Sequence, residues 1–334
     1  MKISIFGLGN FGYALLKHFD KKKDKNSSIF AFDRNEKLTN YLRKKHSHLY
    51  LYRSTKISKN VNFVSIIKDL VTDCDILVLA VTSDALREVL SEMKPFINKQ
   101  IILVNTAKAL DDKTGKRLSQ VTEEIFDNIH FDYALLSGGT IARDLFKHQP
   151  LGTDLACKNK KILPFLVKIF ASSNLFVYPT SDLVGVEYAA AFKNIISILA
   201  GIIRGMGFSY GSETHVISRV ASEIEEVVIK NLGGRKETFN MKSQCWGNDM
   251  WLSCTGSTRN KEFGILLGKG MSVKKAILEM KKRKKTVEGI NTIKVLNLIP
   301  EIFKYPLINF LYSFIIKKEV DLDELKKIIS NDLF

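Results

Sequence analysis

The sequence predicts an α/β protein: a doubly wound parallel sheet in the first half, followed by an all-helical second domain. Three observations carry that expectation. A glycine-rich turn lies between a strand pattern and a helix pattern at the N-terminus, apolar strand-like runs alternate with a helical segment after it, and a long, nearly all-apolar helical pattern opens the second half.

Residues 2–6 alternate and then run apolar, GLGNFG follows at 7–12, and 11–19 has helical periodicity. Strand, glycine turn and helix in that order form the dinucleotide-binding unit of a Rossmann-type sheet. Gly7 permits the tight turn, Gly9 lets the backbone approach a pyrophosphate, and Gly12 lets helix and strand pack closely. Asn10 and Phe11 stand where the helix N-terminus faces that anion. The plain alternative is an ordinary strand-to-helix turn, but a second apolar run, 29–32, ends at Asp33, 21 residues after Gly12. An acid is expected there to accept from a ribose 2′-hydroxyl. Arg34 beside it is suited to a 2′-phosphate, so NAD and NADP both stay open and a pocket that takes either is expected.

Further strands are expected at 75–81 (DILVLAV), 101–105 (IILVN) and 133–136, with a helical segment over 83–93. These elements place a dinucleotide-binding domain over residues 1–180 and a helical substrate-binding domain over 181–334.

Two domains suit a chain of 334 residues, and 45% hydrophobic with 26% charged residues is an ordinary globular composition that argues against disorder. The net charge of +16 raises nucleic acid as a partner. Much of it, however, is Lys in short runs such as 281–285, which read as solvated faces, and a phosphorylated substrate and a dinucleotide also suit a positive field. Gly7, Gly9 and Gly12 interrupt the N-terminal apolar stretch, no small-residue cleavage site follows, and the basic Lys21, Lys22 and Lys23 come next, so a secretory leader is not expected. The most apolar internal run, 195–203, is far shorter than the roughly 20 residues of a membrane span. Cys74, Cys157, Cys245 and Cys254 are scattered with no CxxC pair and no histidines at zinc-finger spacing. They read as reduced thiols in a cytoplasmic protein without a metal site.

The chemistry is expected in the second half. From 184 to 206 the pattern is helical and apolar all round, with Lys193 and Asn194 inside it. A buried lysine has a depressed pKa and can exchange a proton near neutral pH, although a lysine on such a helix can also snorkel to the surface. Asp249 leads into a turn and a helix start at Thr258, an N-cap type. Phosphate at that helix end would meet free backbone N–H groups and the fork of Arg259, while a merely capped surface helix is the plain alternative.

Four blocks, in order, are similar to the bacterial NAD(P)-dependent glycerol-3-phosphate dehydrogenases over nearly the whole chain. They are GLGNFG at 7–12, LSGGTIARDL at 136–145, VGVEYAAAFKNIISILAG at 184–201, and 249–260 with TVEG at 286–289. The resemblance implies reversible reduction of dihydroxyacetone phosphate to sn-glycerol 3-phosphate, supplying phospholipid synthesis; a homodimer is what the fold makes common. It makes Lys193 the general acid/base, with Asp249 near Lys193 and Asn194 to orient substrate and ammonium. It places Lys108 on both cofactor and substrate, and Gly138 and Thr140 beside the substrate. It further puts Ala142 at the cofactor, Thr258, Arg259 and Asn260 on the glycerol phosphate, Arg259 also toward the cofactor, and Glu288 on the nicotinamide side.

Three departures stand out: Gly139 where the family usually has Pro, Asn248 where it has Gly, and Ala109 where it has Gly. None removes a reacting group. A related dehydrogenase of β-hydroxyacids or 6-phosphogluconate would place Asn four residues after the lysine, and position 197 is Ser. A non-catalytic dinucleotide sensor is the other alternative, against which Lys193, Asp249 and Arg259 together argue.

Overall fold

The computed structural model describes residues 1–22 and 26–330; residues 23–25, Lys23 among them, and 331–334 lie outside the described residues. Its contacts divide the chain into two compact units, Met1–Ala107 with Leu118–Leu183, and Lys108–Arg117 with Val184–Phe334. The short segment Lys108–Arg117 thus leaves the first unit and joins the second, which a division in simple chain order does not anticipate.

The first unit is built on an eight-stranded sheet of β1 (Lys2–Phe6), β2 (Ser28–Phe32), β3 (Val61–Phe63), β4 (Ile76–Leu79), β5 (Ile101–Asn105), β6 (Phe131–Ser137), β7 (Leu151–Cys157) and β8 (Leu175–Thr180). The strands lie in the order β3-β2-β1-β4-β5-β6-β7-β8. The first six are parallel, β7 runs antiparallel to β6, and β8 parallel to β7. Parallel neighbours need crossover connections, and covering helices explain why all four residues of β4 are buried and apolar.

The order reverses between β1 and β4, the place where open α/β sheets bind nucleotides beyond the carboxyl ends of their strands. Tyr13, Leu15, Leu16 and Phe19 of the first helix, Asn10–Lys22, are buried, with the Phe19 and Phe170 rings 5.2 Å apart. Strands β3, β7 and β8 extend the sheet beyond those expected. Three residues give β3 too little alternation to read, and the edge position of β8 leaves Phe176 and Tyr178 exposed, which inverts the usual pattern.

The second unit is helical, with long helices at Leu183–Gly205 and Tyr210–Asn231 and shorter ones after them. The helix Leu183–Gly205 has the length and hydropathy of a membrane span, but its apolar window is entirely buried inside the protein. Two of its glycines set its packing. A Cβ on Gly201 or Gly205 would lie 2.9 Å from the Cα of Gly264 or Gly268, and Cβ atoms on those two would come 2.1 and 2.2 Å from the carbonyl oxygens of Ile198 and Ile202. Paired glycines four residues apart on each helix therefore bring Leu183–Gly205 and Arg259–Gly268 into backbone contact.

Candidate functional site

In the first unit the loop after β1 has the form a dinucleotide requires. Gly7 has φ +92°, and a Cβ there would lie 2.6 Å from Ala80 O; a Cβ on Gly12 would lie 1.9 Å from Gly7 O. Gly9 has nothing within 4 Å of its Cβ position, so the loop is open where a pyrophosphate would approach. The helix begins at Asn10, so the N–H groups of its first turn, including those of Phe11 and Gly12, have no partner within the helix. These residues fit a dinucleotide.

The Leu8 peptide is held from both sides. Its N–H donates to Asp33 Oδ2 at 2.7 Å, and its carbonyl lies 2.9 Å from His48 Nε2. Because Tyr50 N–H and Leu51 N–H both donate to His48 Nδ1, the imidazole is neutral with its proton on Nε2, pointing at Leu8. Arg34 forms ion pairs with Glu92 at 2.7 Å and Glu88 at 3.2 Å. Gly138, Thr140 and Ala142 also belong to this unit, in the turn after β6 and the helix Ala142–Phe146. There Thr140 N–H donates to Gly138 O at 2.7 Å, closing a tight turn across Gly139.

The second unit gathers Lys108, Lys193, Asn194, Asp249, Thr258 and Asn260. Lys193 is only 7% exposed on the central helix and Asp249 2% at the start of Asp249–Thr255. Asp249 is shared: Oδ1 lies 2.5 Å from Lys193 Nζ, and Oδ2 2.9 Å from Lys108 Nζ. Burial depresses the Lys193 pKa; the Asp249 carboxylate opposes that, and the Lys108 ammonium adds to it. Burial would raise the Asp249 carboxyl, but the ammoniums of Lys108 and Lys193 outweigh it and hold the group below the usual carboxylate range. Two cations on one carboxylate leave an excess positive charge, as an anionic substrate or an alkoxide in formation requires.

Beside this pair, Asn260 donates from Nδ2 to Asn194 Oδ1 at 2.9 Å and accepts from Gly289 N–H at 3.1 Å. A side chain on Gly289 would meet Asn260 Oδ1 and Asn194 O at 3.1 Å, so the glycine of TVEG keeps this bridge closed. Asn194 Nδ2 is buried with no hydrogen-bond partner among the described residues. Thr258 caps the helix Arg259–Gly268, accepting from Lys261 N–H, and its hydroxyl also donates to Ser253 O at 2.9 Å. Arg259 is half exposed and paired with Glu288 at 3.1 Å. Two residues given no site role by the sequence join this cluster. Lys193 Nζ donates to Ser253 Oγ at 3.3 Å, and Ser197 Oγ donates to Ser253 O at 2.8 Å. Each stands one helical turn after a predicted site residue, Ser197 after Lys193 and Ser253 after Asp249, and that spacing is the signal that marks them.

A switch-point glycine loop in one unit and, in the other, a buried Asp249 carboxylate shared by Lys193 of the central helix and the part-buried loop residue Lys108 define a two-domain nicotinamide-dependent dehydrogenase. Comparison with known proteins narrows this. The family described as NAD-dependent glycerol-3-phosphate dehydrogenase matches by its N-terminal part over residues 2–163 and by its C-terminal part over 182–327. The chain is 30% identical over 335 residues to a Thermoanaerobacter glycerol-3-phosphate dehydrogenase, NAD(P)+, covering 99% of this chain and 98% of the relative. It is 33% identical over 301 residues to the Fusobacterium nucleatum enzyme of the same name, covering 88% and 85%. Among solved structures, glycerol-3-phosphate dehydrogenase from Coxiella burnetii shares the fold with TM-score 0.84 at 21% identity over 99% of both chains. The Plasmodium falciparum one does so with TM-score 0.88 at 20% identity, over 100% of this chain and 96% of that one. The chain belongs to the NAD-dependent glycerol-3-phosphate dehydrogenase family.

Proposed function

We propose that this protein reversibly reduces dihydroxyacetone phosphate to sn-glycerol 3-phosphate with NADH or NADPH, and that Lys193 moves the proton. The observation that carries the assignment is the buried Asp249 carboxylate shared by Lys193 and Lys108. Bound reduced nicotinamide supplies the hydride for carbon 2. Lys193, with its pKa depressed by burial, gives its proton to the carbon 2 oxygen and recovers one in the reverse direction. Asp249 fixes the Lys193 ammonium, and the charge of Lys108 stabilises negative charge building on the substrate oxygen. Asn194 Nδ2 supplies a donor to the substrate.

At the other end of the substrate, Thr258, Arg259 and Asn260 form the helix start assigned to the phosphate, and Gly138 and Thr140 the turn assigned beside the substrate. Ala142, Arg259 and Glu288 are assigned to the cofactor. A cytoplasmic homodimer feeding glycerol phosphate into phospholipid synthesis fits this reading, as do four cysteines that are all free and buried. Purified protein should oxidise reduced nicotinamide dinucleotide only when dihydroxyacetone phosphate is present. Absence of oxidation with either nucleotide overturns the assignment.

A further inference from the structure

From the adenosine end of the dinucleotide site we infer that this protein selects NADH over NADPH, and that Glu88 and Glu92 enforce the choice by occupying Arg34. The inference rests on the dinucleotide reading above. In the sequence Asp33 and Arg34 point to opposite nucleotides, and the structure shows how each is engaged. Arg34 Nη2 lies 2.7 Å from Glu92 Oε1 and Nη1 3.2 Å from Glu88 Oε1. The two glutamates stand one turn apart on the helix Leu86–Met93, so a single helix face meets the guanidinium with two carboxylates.

The other donor of this turn is also taken. Asn35 N–H, which would meet an anion at the start of the helix Glu36–Lys45, donates to Asp33 Oδ1 at 2.9 Å. The Asn35 side chain accepts from Leu38 N–H at 3.0 Å and closes the same helix end. Asp33 is fixed in turn, since its Oδ2 accepts from Leu8 N–H in the glycine loop at 2.7 Å. A 2′-phosphate arriving here would face Asp33, Glu88 and Glu92 around one guanidinium that is already paired. Like-charge juxtaposition is the usual means of rejecting a competing ligand, and a ribose 2′-hydroxyl has no charge to be rejected. It can donate to an Asp33 oxygen that keeps a lone pair.

The test is fluorescence titration of the full-length protein with NADH and with NADPH, without substrate. Wild type should bind NADH at least about tenfold more tightly. Glu88→Gln combined with Glu92→Gln, at an exposed and a part-exposed position outside the core, should tighten NADPH about three- to tenfold and change NADH by less than about twofold. Adding Arg34→Ala to that pair should remove the gain, whereas Arg34→Ala alone should leave the ratio of the two affinities nearly unchanged. Equal wild-type affinities, a ratio unmoved by the double substitution, or selective loss of NADPH in Arg34→Ala alone would each overturn the inference. Binding of neither nucleotide is a different failure, that of the dinucleotide reading itself.

Discussion

Lys193 Nζ lies 2.5 Å from Asp249 Oδ1, and the second oxygen of that carboxylate is held by Lys108 at 2.9 Å. One buried acid therefore sets the position of two cations from distant parts of the chain. An unpaired ammonium in this apolar helix would be costly to keep charged; the Asp249 carboxylate favours the charged form, while burial and the Lys108 ammonium oppose it and leave the pKa below its ordinary value.

If Lys193 protonates the substrate oxygen, Lys193→Ala should lower kcat by roughly 10²- to 10⁴-fold, the range of a positioned general acid. Nucleotide affinity, measured by fluorescence titration, should stay near wild type. Lys193→Arg should not restore turnover, because a guanidinium does not release its proton near neutral pH. Near wild-type turnover in Lys193→Ala would remove the residue from the reaction.

The pH dependence separates the roles of Asp249 and Lys108. Reduction needs protonated Lys193, so kcat/KM for dihydroxyacetone phosphate should fall on a basic limb set by its pKa, below the ordinary lysine value of 10.5 because burial depresses it. Asp249 raises that pKa, so Asp249→Asn should move the limb to lower pH. Lys108 lowers it, so Lys108→Gln should move the limb the other way. Limbs that shift in the same direction in both variants would contradict the shared-carboxylate account.

Much of this arrangement is legible in the sequence because it is local. The loop at 7–12 announces itself through glycines that backbone geometry demands at Gly7 and Gly12, and β1, β4 and β5 read as strands because they are buried apolar runs. Long-range pairings are not legible. Nothing near Arg34 indicates that Glu88 and Glu92 will reach it from more than 50 residues away, or that Asp249 will hold Lys108 across 141 residues. The glycines at 201, 205, 264 and 268 look like four unrelated small residues until two helices cross at them. Lys193 illustrates the remaining gap, since periodicity allows both a buried and a snorkelling lysine and only packing decides between them.

His18 should make the first unit sensitive to acid. It is buried on the first helix, Nε2 lies 2.7 Å from Phe170 O, and burial pushes its pKa down to about 4, with Lys22 and His148 adding to the effect against that hydrogen bond. The unfolded chain takes up the proton near pH 6.5 and the folded one only near 4, so in that window the unfolded state binds more protons. Stability contributed by neutral His18 is thus complete above about 6.5 and declines as pH falls, by about 3 kcal/mol at most. Urea melts between pH 7 and 4 should show a smaller decline in His18→Gln, which keeps a donor for Phe170 O. An equal decline in both proteins would show that His18 is not the group responsible.

The glycine contact between the helices Leu183–Gly205 and Arg259–Gly268 links packing to the site, because the first carries Lys193 and Asn194 and the second begins with Arg259 and Asn260. A methyl group on Gly264 would sit 2.1 Å from Ile198 O and 2.9 Å from the Cα of Gly201, contacts that only backbone movement relieves. Overpacking of this kind costs about 1–3 kcal/mol or more, so Gly264→Ala should lower Tm by roughly 5 °C. Separating the helices also strains the 2.9 Å bond from Asn260 Nδ2 to Asn194 Oδ1, and KM for dihydroxyacetone phosphate should rise more than KM for the nucleotide. Gly211→Ala is the control: it lies on the helix Tyr210–Asn231, its nearest neighbour to a new Cβ is Ser209 Oγ at 3.8 Å, and alanine there should be neutral or slightly stabilising. If Gly264→Ala melted and turned over like Gly211→Ala, the helices would not be held at the distance on which this account of the substrate groups depends.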